Sequence, residues 1–145
     1  MKNVKYIQGI KNIFDKYEVF ILDQWGVMHD GKVGYPHAIE CINYIKSRNK
    51  KLIIISNSSK RKNDSIARLP SLGFAPNDFE EVQTSGEMIW QAISLSLEKY
   101  GKNLKKCFYM FDESDENATK YIEGLNNIKV VKDIADADFI LACTP

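Results

Sequence analysis

The chain has 145 residues, 44% hydrophobic and 27% charged, a balance expected of one soluble domain with a single core. Twenty basic against nineteen acidic residues leave a net charge of +1, which gives no basis for a nucleic-acid partner or an anionic membrane surface. Cys41, Cys107 and Cys143 are odd in number and far apart, which argues against a zinc site or disulfide framework and for a reducing compartment. No apolar run approaches the roughly 18 residues of a membrane span, and no signal-peptide core follows Met1 to Lys5, so the expected location is cytoplasmic.

In chain order, Ile10, Ile13, Phe14 and Tyr17 recur at helical spacing, so a short amphipathic helix is expected from about Ile7 to Tyr17. Val19 to Leu22 then reads as a buried strand that ends on the carboxylate Asp23. Gly26, Gly31 and Gly34 mark the next ten residues as a hairpin or flap. Pro36 suits the first turn of a helix whose inward stripe would be Ala38, Ile39, Ile42 and Ile45. Leu52 to Ile55 is a second buried strand, parallel in character, which runs into Ser56-Asn57-Ser58-Ser59.

A helix over about Asp64 to Leu72 is expected to stop at Gly73, with Pro76 just beyond. A short strand at Val82 to Thr84 leads into Thr84-Ser85-Gly86-Glu87, where Thr84 and Glu87 have capping-box spacing. The helix so opened would bury Met88, Ile89, Ala92, Ile93 and Leu97 and end at Gly101. Strands at Cys107 to Phe111 and Ile128 to Val131, with a helix near Ser114 to Ile122 between them, precede a final apolar strand, Phe139 to Cys143. This alternation predicts an α/β fold, a Rossmann-like doubly wound parallel sheet.

Asp23 and Ser56 each stand at a strand's carboxyl end, about one strand-helix-strand unit apart, where open α/β sheets place ligands. A carboxylate there is a candidate nucleophile or metal ligand, and a hydroxyl with the amides of Asn57 to Ser59 suits phosphoryl oxygens. No GxxxxGK[ST] or GxGxxG run is present, which counts against a P-loop or dinucleotide site. Lys60-Arg61-Lys62 reads as a phosphate-facing loop or a solvated helix start, and His29 as a solvated flap residue.

Val19-Phe20-Ile21-Leu22-Asp23-Gln24-Trp25-Gly26-Val27, followed by Ile53-Ile54-Ile55-Ser56-Asn57, resembles the first two motifs of the haloacid dehalogenase (HAD) superfamily of phosphohydrolases. Gln83 to Glu87 and Ala137 to Leu141 resemble its class IIA branch, which includes NagD-like and p-nitrophenylphosphatase-like enzymes. The resemblance spans nearly the whole chain. It implies that Asp23 is the nucleophile of an aspartyl-phosphate and a ligand of Mg²⁺, with the main-chain carbonyl of Trp25 a second metal ligand. Ser56 and Asn57 would hold the phosphoryl group, and the substrate would be a small phosphorylated molecule.

Two departures from the family pattern bear on activity. The position two after the nucleophile, an Asp general acid in most of these phosphatases, is Trp25, with His29 and Asp30 as the nearest substitutes. The chain also stops about where the family's cap begins, so residues 1–145 are expected to be one portion of the core, without the cap, the charge-neutralising Lys and the acidic pair. Weak or absent hydrolysis by this form is expected. The alternative is a catalytically defective relative that binds a phosphorylated ligand or a protein partner. A sheet edge or apolar face bared by truncation would promote a homo-oligomer.

Overall fold

A computed structural model describes residues 4, 6–95 and 104–143. The chain forms two compact units, residues 1–55 with 69–82 and residues 56–68 with 83–145.

In the first unit, the expected N-terminal helix is instead two 3₁₀ turns, Ile10–Asn12 and Phe14–Lys16, of which only Phe14 is buried. A segment this short is marginal as an α-helix without a buried stripe, and Tyr17 is exposed. Phe14 stacks on Phe20 at 5.5 Å between ring centroids and meets Tyr44 edge-on at 5.0 Å. Strand β1 (Val19–Leu22) pairs in parallel with β2 (Lys51–Ser56), Leu22 level with Ile54, and β3 (Glu81–Thr84) lies on the other side of β2. Helix α1 (Pro36–Ser47) connects the first two strands with Pro36 in its first turn. Its buried residues are Ile42 and Ile45, while Ala38 and Ile39 are only half-buried.

The core of this unit lies on the sheet face that carries Phe20, Leu52, Ile54 and Val82. Side chains alternate across a strand, so Val19, Ile21 and Ile55 fall on the opposite face, where they are exposed. That corrects the expectation of strands buried on both faces.

The helix expected over Asp64 to Leu72 ends earlier. Helix α2 (Lys62–Arg68) gives way to a 3₁₀ turn, Leu69–Leu72. Pro70 is the reason: its ring disfavours an α conformation at Leu69 and it has no N–H to continue the ladder. Gly73 follows with φ +86°.

The second unit is built on a separate three-stranded sheet. Its order is β5 (Lys129–Val131), β4 (Lys106–Phe111), β6 (Phe139–Cys143), with all pairs parallel. The α/β class with parallel sheets therefore holds, with six strands divided between two sheets among the described residues. Helix α2, helix α3 (Ser85–Ser94) and the short α4 (Glu116–Lys120) belong to this unit. Its core gathers Ile93, Cys107, Tyr109, Tyr121, Leu125 and Leu141.

The inward side of α3 differs from expectation. Ile93 is buried as expected, but Met88 and Ile89 are exposed, and Gly86 and Glu87 are buried in their place. The Tyr121 hydroxyl donates to the Gly86 carbonyl, which turns the Gly86 side of the helix inward. Leu97 and Gly101 lie outside the described residues.

Candidate active site

Asp23 follows β1 at the carboxyl edge of the β1–β2 pair and is exposed. Its Oδ1 accepts the backbone N–H of Gln24 at 2.8 Å. That bond orients the carboxylate while the group stays open to solvent, the condition a nucleophile or cation ligand needs.

The segment after it is a tight loop, as expected of a flap. Gly26 takes φ +78° and donates its N–H to the His29 carbonyl at 2.8 Å, and single bridges join His29 to both Trp25 and Gly34. A β-carbon on Gly26 would meet nothing, so the glycine answers to backbone conformation rather than to close approach. Trp25 is 65% exposed, yet its ring lies against Gly31, where a β-carbon would come within 2.5 Å of it. The indole also meets His29 edge-on, with centroids 6.0 Å apart.

His29 is buried at 4% exposure, contrary to the solvated reading, and its Nδ1 accepts the Gly31 N–H at 3.0 Å. That nitrogen therefore carries no proton. The backbone N–H groups of Val33 and Lys32 on Asp30 hold its carboxyl below the usual range, so it is ionised at neutral pH.

In the second unit, β2 ends on Ser56, which is buried at 7% exposure. Its Oγ accepts the Ser58 N–H at 3.2 Å, which leaves the hydroxyl proton available to an acceptor. Asn57 is exposed. The Ser58 Oγ in turn accepts the Lys60 N–H at 3.2 Å.

Within the basic run that follows, Arg61 is turned away from solvent. Arg61 Nε donates to Glu87 Oε2 at 2.7 Å, and its guanidinium lies 3.8 Å from the Trp90 ring centroid. Glu87, only 5% exposed, also accepts the Lys62 N–H at 3.2 Å and the Gln91 amide at 3.2 Å. Half of the expected capping box forms: Thr84 Oγ1 accepts the Glu87 N–H at 3.0 Å, and the Glu87 carboxylate turns to Arg61 instead of back to Thr84. Sequence reasoning missed this ion pair. No local pattern in the sequence joins Arg61 to Glu87.

The Arg61 hydrogen bond, opposed by burial and reinforced by Lys62, holds the Glu87 carboxyl below its ordinary 4.5. A depressed folded-state value means stabilisation that is fully present above about pH 4.5 and is lost as pH falls through the lowered value. Thermal melts of wild type and Glu87→Gln are therefore expected to differ by a constant amount across neutral pH and to converge in acid. A difference that grew in acid would contradict this assignment.

A cleft of about 230 Å³ in the same unit is lined by Ser59, Lys60, Asp112, Asp115, Asn117 and Tyr121. Its carboxylates have local partners: Asp112 takes the Ser114 N–H and O–H, and Asp115 caps α4 through the Asn117 N–H. Lys60 Nζ lies 3.7 Å from Asp115. Among the described residues, no group of three His, Cys, Asp or Glu side chains could hold a metal, and no helix is long and apolar enough to cross a membrane.

Residues 20–125 match the family model for haloacid dehalogenase-like hydrolases. Among solved structures, a haloacid dehalogenase-like hydrolase from Brucella suis 1330 aligns with 94% of this chain and 48% of its own, at TM-score 0.76 and 21% identity. The 4-nitrophenylphosphatase of Thermotoga maritima aligns with 90% of this chain and 46% of its own, at TM-score 0.61 and 26% identity. NagD from E. coli K-12 aligns with 86% and 45%, at TM-score 0.54 and 19% identity. The chain thus spans about half the length of these structures. A search of curated proteins gives no match.

Proposed function

The chain belongs to the haloacid dehalogenase-like hydrolase family, and we propose that it carries the nucleophilic half of a Mg²⁺-dependent phosphohydrolase acting on a small phosphorylated molecule. The observation that carries this reading is the exposed, oriented Asp23 carboxylate at the end of a parallel strand.

The chemistry follows from the groups present. An Asp23 oxygen attacks phosphorus, the bond to the leaving oxygen breaks, and an aspartyl-phosphate forms. Water then attacks the same phosphorus, which releases inorganic phosphate and restores the carboxylate. The Ser56 hydroxyl and Asn57 amide donate to the transferring oxygens, where hydrogen bonds to charge are strongest. Trp25 presents an exposed ring two residues from the nucleophile, a wall against which an organic leaving group can lie.

The oxygen donors fit magnesium. This ion takes one or two carboxylates and fills its remaining positions with water and substrate phosphate, so a cluster of three acidic or His side chains is not required. Asp23 and the Trp25 carbonyl would hold it, and it would offset phosphoryl charge during transfer. The family resemblance implies that a cation and an acidic pair from outside residues 1–145 complete such a site. Weak or absent turnover is therefore expected of the 145-residue form, and the assay belongs on a chain continued to its relatives' length.

In that longer chain, phosphate release from p-nitrophenyl phosphate is expected to require Mg²⁺ and to stop on chelation with EDTA. Release that persists in EDTA would contradict the metal assignment. A second reading, a non-hydrolysing phospholigand binder, is favoured by one observation: Trp25 occupies the acid's place, while His29 Nδ1 is taken up by the Gly31 N–H and Asp30 is held as the carboxylate. Binding of phosphate analogues with no turnover in the longer chain would select it.

A further inference from the structure

The loop after Ser56 is held residue by residue from one short segment. The Gly86 N–H donates to the Ser58 carbonyl at 3.0 Å. Gly86 also packs on Ser59 so closely that a β-carbon would fall 2.0 Å from the Ser59 carbonyl oxygen. Thr84 Oγ1 donates to the Lys60 carbonyl at 2.7 Å, and Glu87 takes both the Arg61 guanidinium and the Lys62 N–H. All five residues from Ser58 to Lys62 are thus gripped by Thr84, Gly86 and Glu87, side chains or backbone that are at most 5% exposed for the two polar members.

Such a grip exceeds what capping a ten-residue helix requires. A cap needs the Thr84 hydroxyl on the Glu87 N–H and nothing from residues 58–62. A loop that must present a hydroxyl and an amide to a charged group gains from having its backbone fixed beforehand, because binding then spends little on ordering. Arg61 adds to this by its destination: its charge is neutralised by Glu87 and stacked on Trp90, so it braces the loop instead of reaching for the ligand.

We propose that Thr84, Gly86 and Glu87 form a positioning clamp that fixes the Ser56 to Lys62 loop in the shape that receives a phosphoryl group. The proposal rests on the reading of Ser56 and Asn57 as phosphate-binding residues. The three are positioning residues, since their contacts run through the loop.

The test is made on the chain continued to its relatives' length, with inorganic phosphate as the probe and amide hydrogen exchange as the second readout. Glu87→Gln keeps the side-chain volume and removes the charge that holds Arg61. It is expected to speed exchange at Ser58 and Lys60 and to weaken phosphate binding about tenfold or more, as loss of a charged hydrogen bond does. Arg61→Gln combined with Glu87→Gln is expected to be no worse than either alone, because both break one link. Thr84→Val, which removes the hydroxyl from the Lys60 carbonyl, supplies the same comparison should Glu87→Gln not fold.

A lowered melting temperature with unchanged phosphate affinity would mean that these residues serve stability alone, and would overturn the clamp. Phosphate binding that depends on Ser56 and is indifferent to Glu87 and Thr84 overturns the clamp and leaves the site reading standing. Absence of phosphate binding by the wild type, or binding indifferent to Ser56→Ala, overturns the site reading and the clamp's role with it.

Discussion

Asp23→Asn is expected to remove phosphate release from a chain continued to its relatives' length, by a factor on the order of 10⁴ or more, the scale on which loss of a nucleophile acts. The substitution is nearly isosteric. Asn retains a carbonyl oxygen to accept the Gln24 N–H, and the exposed position carries no buried charge whose loss would alter folding. Melting temperature should therefore be preserved while turnover is lost, which separates chemistry from stability. Steady-state release of p-nitrophenol, measured beside a thermal melt, reads both. Equal rates for wild type and Asp23→Asn would remove Asp23 from the reaction.

The second large effect concerns the leaving group. General acid help is worth about 10²–10⁴-fold, and the position from which it would come is Trp25. His29 is turned inward with Nδ1 on the Gly31 N–H, and Asp30 is held as the carboxylate by Val33 and Lys32. Departure of the leaving oxygen is then unassisted by these groups. Rates should fall steeply as the leaving alcohol becomes more basic, so that p-nitrophenyl phosphate turns over far faster than an alkyl phosphate.

Trp25→Asp is expected to compress that difference by about 10²-fold, the lower end of the general-acid range, by raising the alkyl ester rate and leaving the nitrophenyl rate nearly unchanged. The indole is mostly exposed, so its removal takes little from the core. A leaving-group plot of identical slope for wild type and Trp25→Asp would show that proton transfer is supplied elsewhere.

Much of this was readable from residue order because the signals are local. The strand before Asp23, the strand before Ser56, Pro36 at a helix start and Thr84 three residues before Glu87 are each short-range patterns, and each is found in the fold. The misreadings come from longer-range determinants or from competing local rules. Arg61 and Glu87 are 26 residues apart, and no periodicity links them, so the basic run reads only as a phosphate-facing loop or a solvated helix start. Met88 and Ile89 fit an apolar stripe as well as Ile93 does, and only contacts such as Tyr121 on Gly86 decide which side of α3 turns inward. His29 is buried by the loop that closes around it, which composition does not report. Pro70 was a local signal, outweighed by the apolar spacing of its neighbours, and it ends α2 at Arg68.

Of the proposed site, the two strand-end residues are legible in the sequence and the supporting contacts are not. Asp23 and Ser56 announce themselves as polar side chains closing apolar runs, whereas the Thr84, Gly86 and Glu87 contacts exist only once the chain is folded.

The aspartyl-phosphate at Asp23 is the central claim, and borohydride trapping during turnover of p-nitrophenyl phosphate tests it most directly. Hydride reduces an acyl phosphate to the alcohol with loss of phosphate, so peptide mass spectrometry should find homoserine at position 23 in the wild type, dependent on substrate and absent from Asp23→Asn. Sustained phosphate release with position 23 recovered only as unmodified aspartate would contradict the account.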